Sequence, residues 1–513
     1  MDPVVNGWLG LLRRIPRRIL WPGVAGATML TVGGLGAGAI VRRDPLLSGT
    51  VLNAIRYGHG HDLAFMVLFA GLGLMVLSWV RLGRMVLTGE AGGRVVALAT
   101  AVWTAPLIIA PPLYSRDVYS YLAQGAVALR GFDPYQEGAS VLDLPLRGNV
   151  AGLWQETPSP YGPVFLLLGK VTVFLTGDNV IVGAIVMRLA VLAGLALLVW
   201  AIPRLCKHLG GRTNIALWLT VANPLVLALG VGGVHNDILM VGLMAVGVVF
   251  VLDRKHARGF AFIALATAVK ATAFLVAPFL VWVWAARLTG SARQRFLVAA
   301  GTGGAVFVLA FSAATVLAGV DLGWIGVLKS QTPLLTWLSL PCMAAEILFY
   351  SIGTHVPGWT REGFLGFFRA AGLVALAAFL VRQWWLAREG GVDAVKRATI
   401  ALLGACLLAP STLPWYFTWG LALAAAFAWK KQGVAVLAGI SVWMVLITLP
   451  DGTIVWRWTY DAMNPWVWWP YLAATAAVGV WVARSLLQPQ PQLQPEPVAQ
   501  TAEASKVVGG TGA

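Results

Sequence analysis

The run SRDVYSYLAQ (115–124) sets a guanidinium, a carboxylate, two phenols and a carboxamide side by side. If the segment is helical, Asp117, Tyr121 and Gln124 share one face at i, i+4 and i+7, while Val118, Leu122 and Leu129 share another. Ser115 would start such a helix and Gly131 would stop it. A carboxylate held on that face can take a proton from a hydroxyl, or hold one by a strong hydrogen bond. Arg116 is expected to lower the pKa of Asp117 and keep it ionised. Tyr119 adds a second phenol on the same stretch. The plainer alternative is that Asp117 only complements the helix dipole.

Other polar groups stand at the ends of apolar runs. In VGGVHND (231–237), one residue would suffice to cap the helix that follows. His235, Asn236 and Asp237 together exceed that need and suit hydrogen bonding to a ligand; one His and one Asp make a weak case for a metal. Lys270, in ALATAVKATAF, is costly in hydrocarbon unless it pairs or reaches the headgroups. There it suits a phosphate as a point charge. Arg188, inside another apolar run, and Arg116 are candidates for the same duty, with snorkelling as the plain alternative for the apolar-run cations. Tyr135 in GFDPYQ, Tyr161 in SPYGP and, between them, Trp154 offer flat rings on which a sugar can stack, while PWYFTW puts Trp415, Tyr416 and Trp419 at the outer start of a span. Aromatic anchoring at a membrane interface is the default reading of each ring alone.

The elements that must position these groups follow from composition. The chain has 513 residues, of which 58% are hydrophobic and 11% charged, and its mean hydropathy is +0.77. Apolar runs of roughly 18 or more residues recur, each long enough for a bilayer core of ~30 Å. An all-α polytopic membrane protein is expected, not an outer-membrane barrel. The predicted spans are 22–41, 62–81, 95–114, 179–202, 213–231, 236–252, a pair at 259–270 and 272–286, 296–319, 364–382, 398–411, 415–429, 432–449 and 466–485, or about 14 crossings. The apolar stretches 161–176 and 336–353 are predicted not to cross. Crossing there would put Arg204, Lys207 and Arg212, or Arg382, Arg388, Lys396 and Arg397, on the outer side, against the positive-inside rule.

This choice places most of the 37 Lys and Arg residues, and a minority of the 21 Asp and Glu, on the inner face. The net charge of +16 then reports orientation and not nucleic-acid binding. The loop 42–61, with Arg42, Arg43 and Arg56, runs against the rule. Both termini are expected in the cytoplasm, with Arg13, Arg14, Arg17 and Arg18 as a juxtamembrane patch. The stretch 11–21 leads into a span without an obvious cleavage site, so no secretory signal is expected. The 115–160 loop and the turns at 231–237, 270 and 411–416 fall on the outer face. Cys206, Cys342 and Cys406 are too scattered for a disulfide framework or a metal site. No Gly-rich nucleotide-binding motif stands in a strand-to-helix setting, and no internal repeat is visible. The Pro/Gln-rich tail should be disordered.

SRDVYSYLAQGAVALRGFDPY, SPYGPVFLLLGK, GGVHNDILMVGLMAVG, AVKATAFLVAPFLVWVW and LPWYFTW closely resemble the actinobacterial polyprenol-phosphomannose-dependent α-(1→6)-mannosyltransferases, which are GT-C glycosyltransferases. The resemblance runs from about residue 22 to 485, along the span region. It implies a GT-C transmembrane catalytic domain at 22–485 with an extracytoplasmic loop and interfacial helices at 115–178; outside the resemblance, composition leads to the expectation of a basic cytoplasmic segment at 1–21 and a disordered cytoplasmic tail at 486–513. The resemblance also implies Asp117 as catalytic base, and it aligns His235, Asn236 and Lys270 with motif positions. Many relatives carry His before the PWY motif; this chain has Leu413.

The activity so implied is transfer of mannose from polyprenyl-phosphate-mannose to the 6-hydroxyl of a lipid-anchored mannan, on the outer face of the plasma membrane, in lipomannan and lipoarabinomannan biosynthesis. A β-linked donor would give an α-(1→6) product by one inverting displacement. Asp117 would take the proton, Lys270 with Arg188 or Arg116 would hold the phosphate, and Tyr119, Tyr121, Tyr135, Tyr161, His235, Asn236, Asp237, Trp415 and Tyr416 would hold the sugar and acceptor. No metal, nucleotide sugar or nucleic acid is expected. The alternatives are the initiating paralogue of the family and a polyprenyl-linked sugar flippase. A flippase calls for polar groups near the midplane and, often, internal repeats.

Overall fold

Long apolar runs without strand-like alternation leave the backbone one way to satisfy its own polar groups in lipid, the helix. The computed structural model describes residues 10, 15–42, 46–330, 336–450 and 465–488, and among them no strand occurs. The helices are α1 (Arg17–Ala37), α2 (Gly58–Thr88), α3 (Gly93–Thr104), α4 (Asp117–Leu129), α5 (Pro163–Thr176), α6 (Val180–Leu209), α7 (Thr213–Leu219), α8 (Asp237–Leu252), α9 (His256–Val269), α10 (Ala277–Ala285) and α11 (Ala292–Ala318). After the short helix Trp324–Ser330 come α12 (Leu340–Ser351), α13 (Arg361–Leu386), α14 (Gly391–Leu408), α15 (Phe417–Ala424), α16 (Lys431–Leu446) and α17 (Pro465–Leu487). Arg13, Arg14, Arg43 and the tail from 489 lie outside the described residues.

The protein is an all-α membrane protein. Among the described residues, α1, α2, α6, α11, α13 and α17 contain stretches long and apolar enough to cross a bilayer. A pair bent by 115°, residues Leu225–Gly232 and α8, makes a seventh if it counts as one span. The other expected crossings coincide with shorter helices, among them α9 and α16 at 14 and 16 residues. The run 213–231, expected as one span, is broken. Asn223 accepts from Leu225 N at 2.9 Å and donates to Leu219 O at 2.8 Å, and Pro224 supplies no N–H, so α7 ends and a π-helical segment begins. α5 and α12, in the stretches expected not to cross, are 14 and 12 residues long.

α11 and α13 leave apolar side chains such as Leu309, Leu317, Phe367 and Val374 exposed, as an outer layer facing lipid would. The core lies elsewhere. Trp79 of α2 and Trp218 of α7 stack at 4.5 Å, and each indole N–H donates to the other residue's carbonyl, at 2.9 and 2.8 Å. This reciprocal pair of hydrogen bonds satisfies two buried donors and fixes α7 against α2.

α4 does not show the two-faced burial that the spacing of its polar and apolar residues leads one to expect. Every residue from Val118 to Val127 is buried. The cause is close packing on α5: a Cβ at Gly125 would lie 2.3 Å from the carbonyl carbon of Gly169. Only glycine permits that approach, and it draws α4 into the protein core while its first residue stays at the edge.

Candidate active site

Two strained turns set the site. Tyr114, three residues before Asp117, has φ +61°, and Val234, directly before His235, has φ +58°. A β-branched residue in that region costs about 1–3 kcal/mol and persists only where its surroundings hold it. The turns hold one another: Leu113 N donates to Gly232 O at 3.0 Å, and a Cβ at Gly233 would lie 2.7 Å from Leu113 O. Tyr114 N is held by Pro450 O at 2.9 Å. Through this contact the start of α4 meets the break between the bent helices.

The result is a carboxylate beside an imidazole. His235 Nδ1 lies 3.5 Å from Asp117 Oδ2, with the ring fully buried and 21% of the Asp117 side chain exposed. Trp415 stacks on the His235 imidazole at 3.8 Å. Asp117 N is held by Ser115 Oγ at 3.0 Å. Burial raises the Asp117 pKa to about 6; Ser115 and Lys270 pull against that rise, and Asp237 adds to it. The expectation that Arg116 would lower this pKa does not hold. Arg116 turns away, donating to Asn149 O and Ile40 O at 3.0 Å each.

A second carboxylate is locked. Asp237 Oδ1 accepts from Lys270 Nζ at 2.7 Å and from Trp419 Nε1 at 2.6 Å. Lys270 follows α9 in extended conformation, and its ammonium stands 4.5 Å from the Tyr416 ring centroid and 5.4 Å from that of Trp419. Its side chain is 13% exposed, against 1% for Asp237. Tyr121 and Tyr161 pack edge to face at 5.3 Å. Burial, with Asp117 and Asp237 nearby, holds both phenols well above their ordinary pKa, so they remain hydroxyl donors. The amide of Asn236 and both ring nitrogens of His235 are buried without a hydrogen-bond partner among the described residues. Asn236 precedes α8 without capping it through its side chain, so its polarity serves no local structure.

The fold thus gathers Asp117, Tyr121, Tyr161, His235, Asn236, Asp237, Lys270, Trp415 and Tyr416. It sends other candidates elsewhere. Tyr119 donates its hydroxyl to Ala39 O at 2.8 Å. Tyr135 joins a separate apolar cluster with Phe311 and Trp324. Arg188 is fully buried and donates to Val231 O, Ile108 O and Gly232 O at 3.0, 2.7 and 3.2 Å. With its fork spent on carbonyls, it braces the broken helix from behind and is not placed as a phosphate ligand; Arg116 is likewise engaged. Trp419, expected as an interfacial anchor, donates to Asp237. Its spacing of four from Trp415 puts both on one side of a helical turn, which is the hint the sequence carries.

Residues 20–286 match a family model described as "Alpha-(1->6)-mannopyranosyltransferase, N-terminal domain", and residues 348–485 match one described as "MptB C-terminal domain". Alpha-(1->6)-mannopyranosyltransferase A of Mycobacterium tuberculosis is 40% identical over 90% of this chain and 88% of its own length. The protein of the same name from Corynebacterium glutamicum is 33% identical over 83% of this chain and 91% of its own. Alpha-(1->6)-mannopyranosyltransferase B of Corynebacterium glutamicum is 30% identical over 85% and 79%.

Proposed function

Since the chain belongs to the α-(1→6)-mannopyranosyltransferase family and is a mannosyltransferase, we propose that it moves mannose from polyprenyl-phosphate-mannose to the 6-hydroxyl of a lipid-anchored mannan, on the outer face of the plasma membrane, extending an α-(1→6) chain in lipomannan and lipoarabinomannan synthesis. The observation that carries this reading is the half-sheltered Asp117 beside His235, next to the Lys270–Asp237 pair.

In the proposed step the acceptor's 6-oxygen forms a bond to the anomeric carbon as the bond from that carbon to the phosphate oxygen breaks. The hydroxyl proton passes to Asp117, and polyprenyl phosphate leaves with the electron pair. Attack opposite the phosphate inverts the centre, so a β donor gives an α product. Phosphate is already a good leaving group, so an ammonium to hold its growing charge suffices. Lys270 supplies one: a single one of its three donors is given to Asp237, and its side chain is not sealed off. The unpartnered amide of Asn236, the His235 imidazole and the Tyr121 and Tyr161 hydroxyls fit a ligand rich in hydroxyls, and Trp415 and Tyr416 supply apolar faces. The reaction as written asks for no metal. The initiating paralogue remains the second reading, since relatives named A and B both match.

The test is transfer by the purified protein in detergent, from synthetic mannosyl-phospho-polyprenol to a short α-(1→6)-mannoside, with and without chelator. Transfer that survives chelator in the wild type and collapses in Asp117→Asn, with donor still bound, is expected. Donor binding without transfer in the wild type would overturn the transferase reading of this site and favour the flippase.

A further inference from the structure

The end of the bundle opposite the site holds a basic cleft. Chain direction establishes the opposition. The chain that enters α7 just after Arg212 runs to the site at His235, and α15 leaves the site at Phe417 and ends shortly before Trp429 and Lys431. At that far end the two turns are joined: Gly211 N donates to Ala426 O at 3.0 Å, and Gly210 bridges Phe427. Between these turns and the ends of α2 and α17 lies a cleft of about 250 Å³.

Arg84, Arg212 and Lys431 line it, with Thr88, Gln488 and Trp429, and aliphatic side chains close one side. Among the described residues no carboxylate is part of the lining. The nearby Glu90 accepts from the Thr88 hydroxyl at 2.8 Å. Arg84 Nε donates to Ser485 O at 3.2 Å and Lys431 Nζ to Leu487 O at 3.4 Å, so both face the last turn of α17, where carbonyls lack helical partners. Each of those bonds uses one donor and leaves the others. The Arg212 side chain has no partner among the described residues. Helix ends need no third cation, and three like charges in one cleft favour a shared anion.

The walls are built to keep this geometry. The Trp79–Trp218 pair fixes α7 on α2. Asn214, two residues after Arg212, donates to Val86 O and Ala91 O at 3.1 Å each.

We propose that this cleft binds a phosphate group, in the membrane that of an anionic phospholipid whose chains follow the aliphatic side. The proposal rests on the cleft alone and stands or falls apart from the mannosyl-transfer reading. Full-length protein in detergent, wild type and R212Q/K431Q, would be titrated with phosphatidylglycerol or phosphatidylcholine and read by native mass spectrometry. Arg84, which caps α17, is left in place. Retention of one phosphatidylglycerol by the wild type is expected to be about 30-fold weaker in the variant, with no such difference for phosphatidylcholine. A second arm compares melting in inorganic phosphate and in chloride at equal ionic strength. A phosphate-specific rise lost in the variant, without lipid selectivity, would uphold the site and assign it to a soluble anion. Equal lipid retention and equal melting in both proteins would overturn it. Should the double variant fail to fold, R212Q alone serves, because that guanidinium holds no part of the fold together.

Discussion

At the residue scale, activity should follow the state of Asp117. Its pKa is raised to about 6, so the base form prevails above that value and is lost as pH falls through it. The logarithm of kcat/KM is expected to rise with unit slope below about pH 6 and level off above it, and the residual activity of Asp117→Asn should lack that limb. The same variant should lose about 10²–10⁴-fold in kcat in a single-turnover assay. The Lys270–Asp237 pair makes a different prediction. Lys270→Met leaves Asp237, 1% exposed, without its counter-charge. Loss of about 3–5 kcal/mol is expected, read as a fall in melting temperature in detergent. Adding Asp237→Asn should recover part of that stability without recovering transfer, and a double variant no more stable than the single would show that the pair does not couple.

At the element scale, what matters is how α4 and the broken helix are held together. Gly125→Val would drive a side chain into the backbone of Gly169, and it should lower the melting temperature and abolish transfer together. Arg188→Met removes the donors to three carbonyls at the break, at about 1–3 kcal/mol for each acceptor left unpaired. Hydrogen exchange should rise at 230–237 in that variant, and Arg188→Lys should restore little, since an ammonium cannot span the same fork. Normal exchange in Arg188→Met would show that the guanidinium does not hold the turn. α4 also illustrates where sequence pattern stops. Its span, from just after Ser115 to just before Gly131, is legible from caps and periodicity. Its burial is not, because burial comes from Gly169 on another helix.

At the scale of the whole molecule, the orientation read from charge can be checked with single-cysteine reporters in a chain lacking Cys206, Cys342 and Cys406. Glu137→Cys, exposed in the loop after α4, should react with a membrane-impermeant maleimide on intact cells. Lys255→Cys, exposed in the turn between α8 and α9, should react only after permeabilisation. The reverse pattern would place the site on the cytoplasmic side and remove an outer-face acceptor from consideration.

The helical membrane class, the family and the residue types of the site were all legible in the sequence, since apolar run length, GGVHND, the Lys270 segment and PWYFTW are local features. Tertiary structure alone decided the partners. Arg116 neighbours Asp117 in the chain, yet it reaches for Ile40 and Asn149, while Asp117 meets His235 from another element. Arg188, a candidate phosphate ligand by sequence, donates instead to carbonyls at the helix break, and Trp419, expected as an interfacial ring, donates to Asp237. The physical reason is common to Arg116, Arg188 and Trp419. A buried polar group must find its counterpart or carry the desolvation cost, and which counterpart lies within hydrogen-bond reach depends on how helices far apart in the chain pack, which no local spacing encodes.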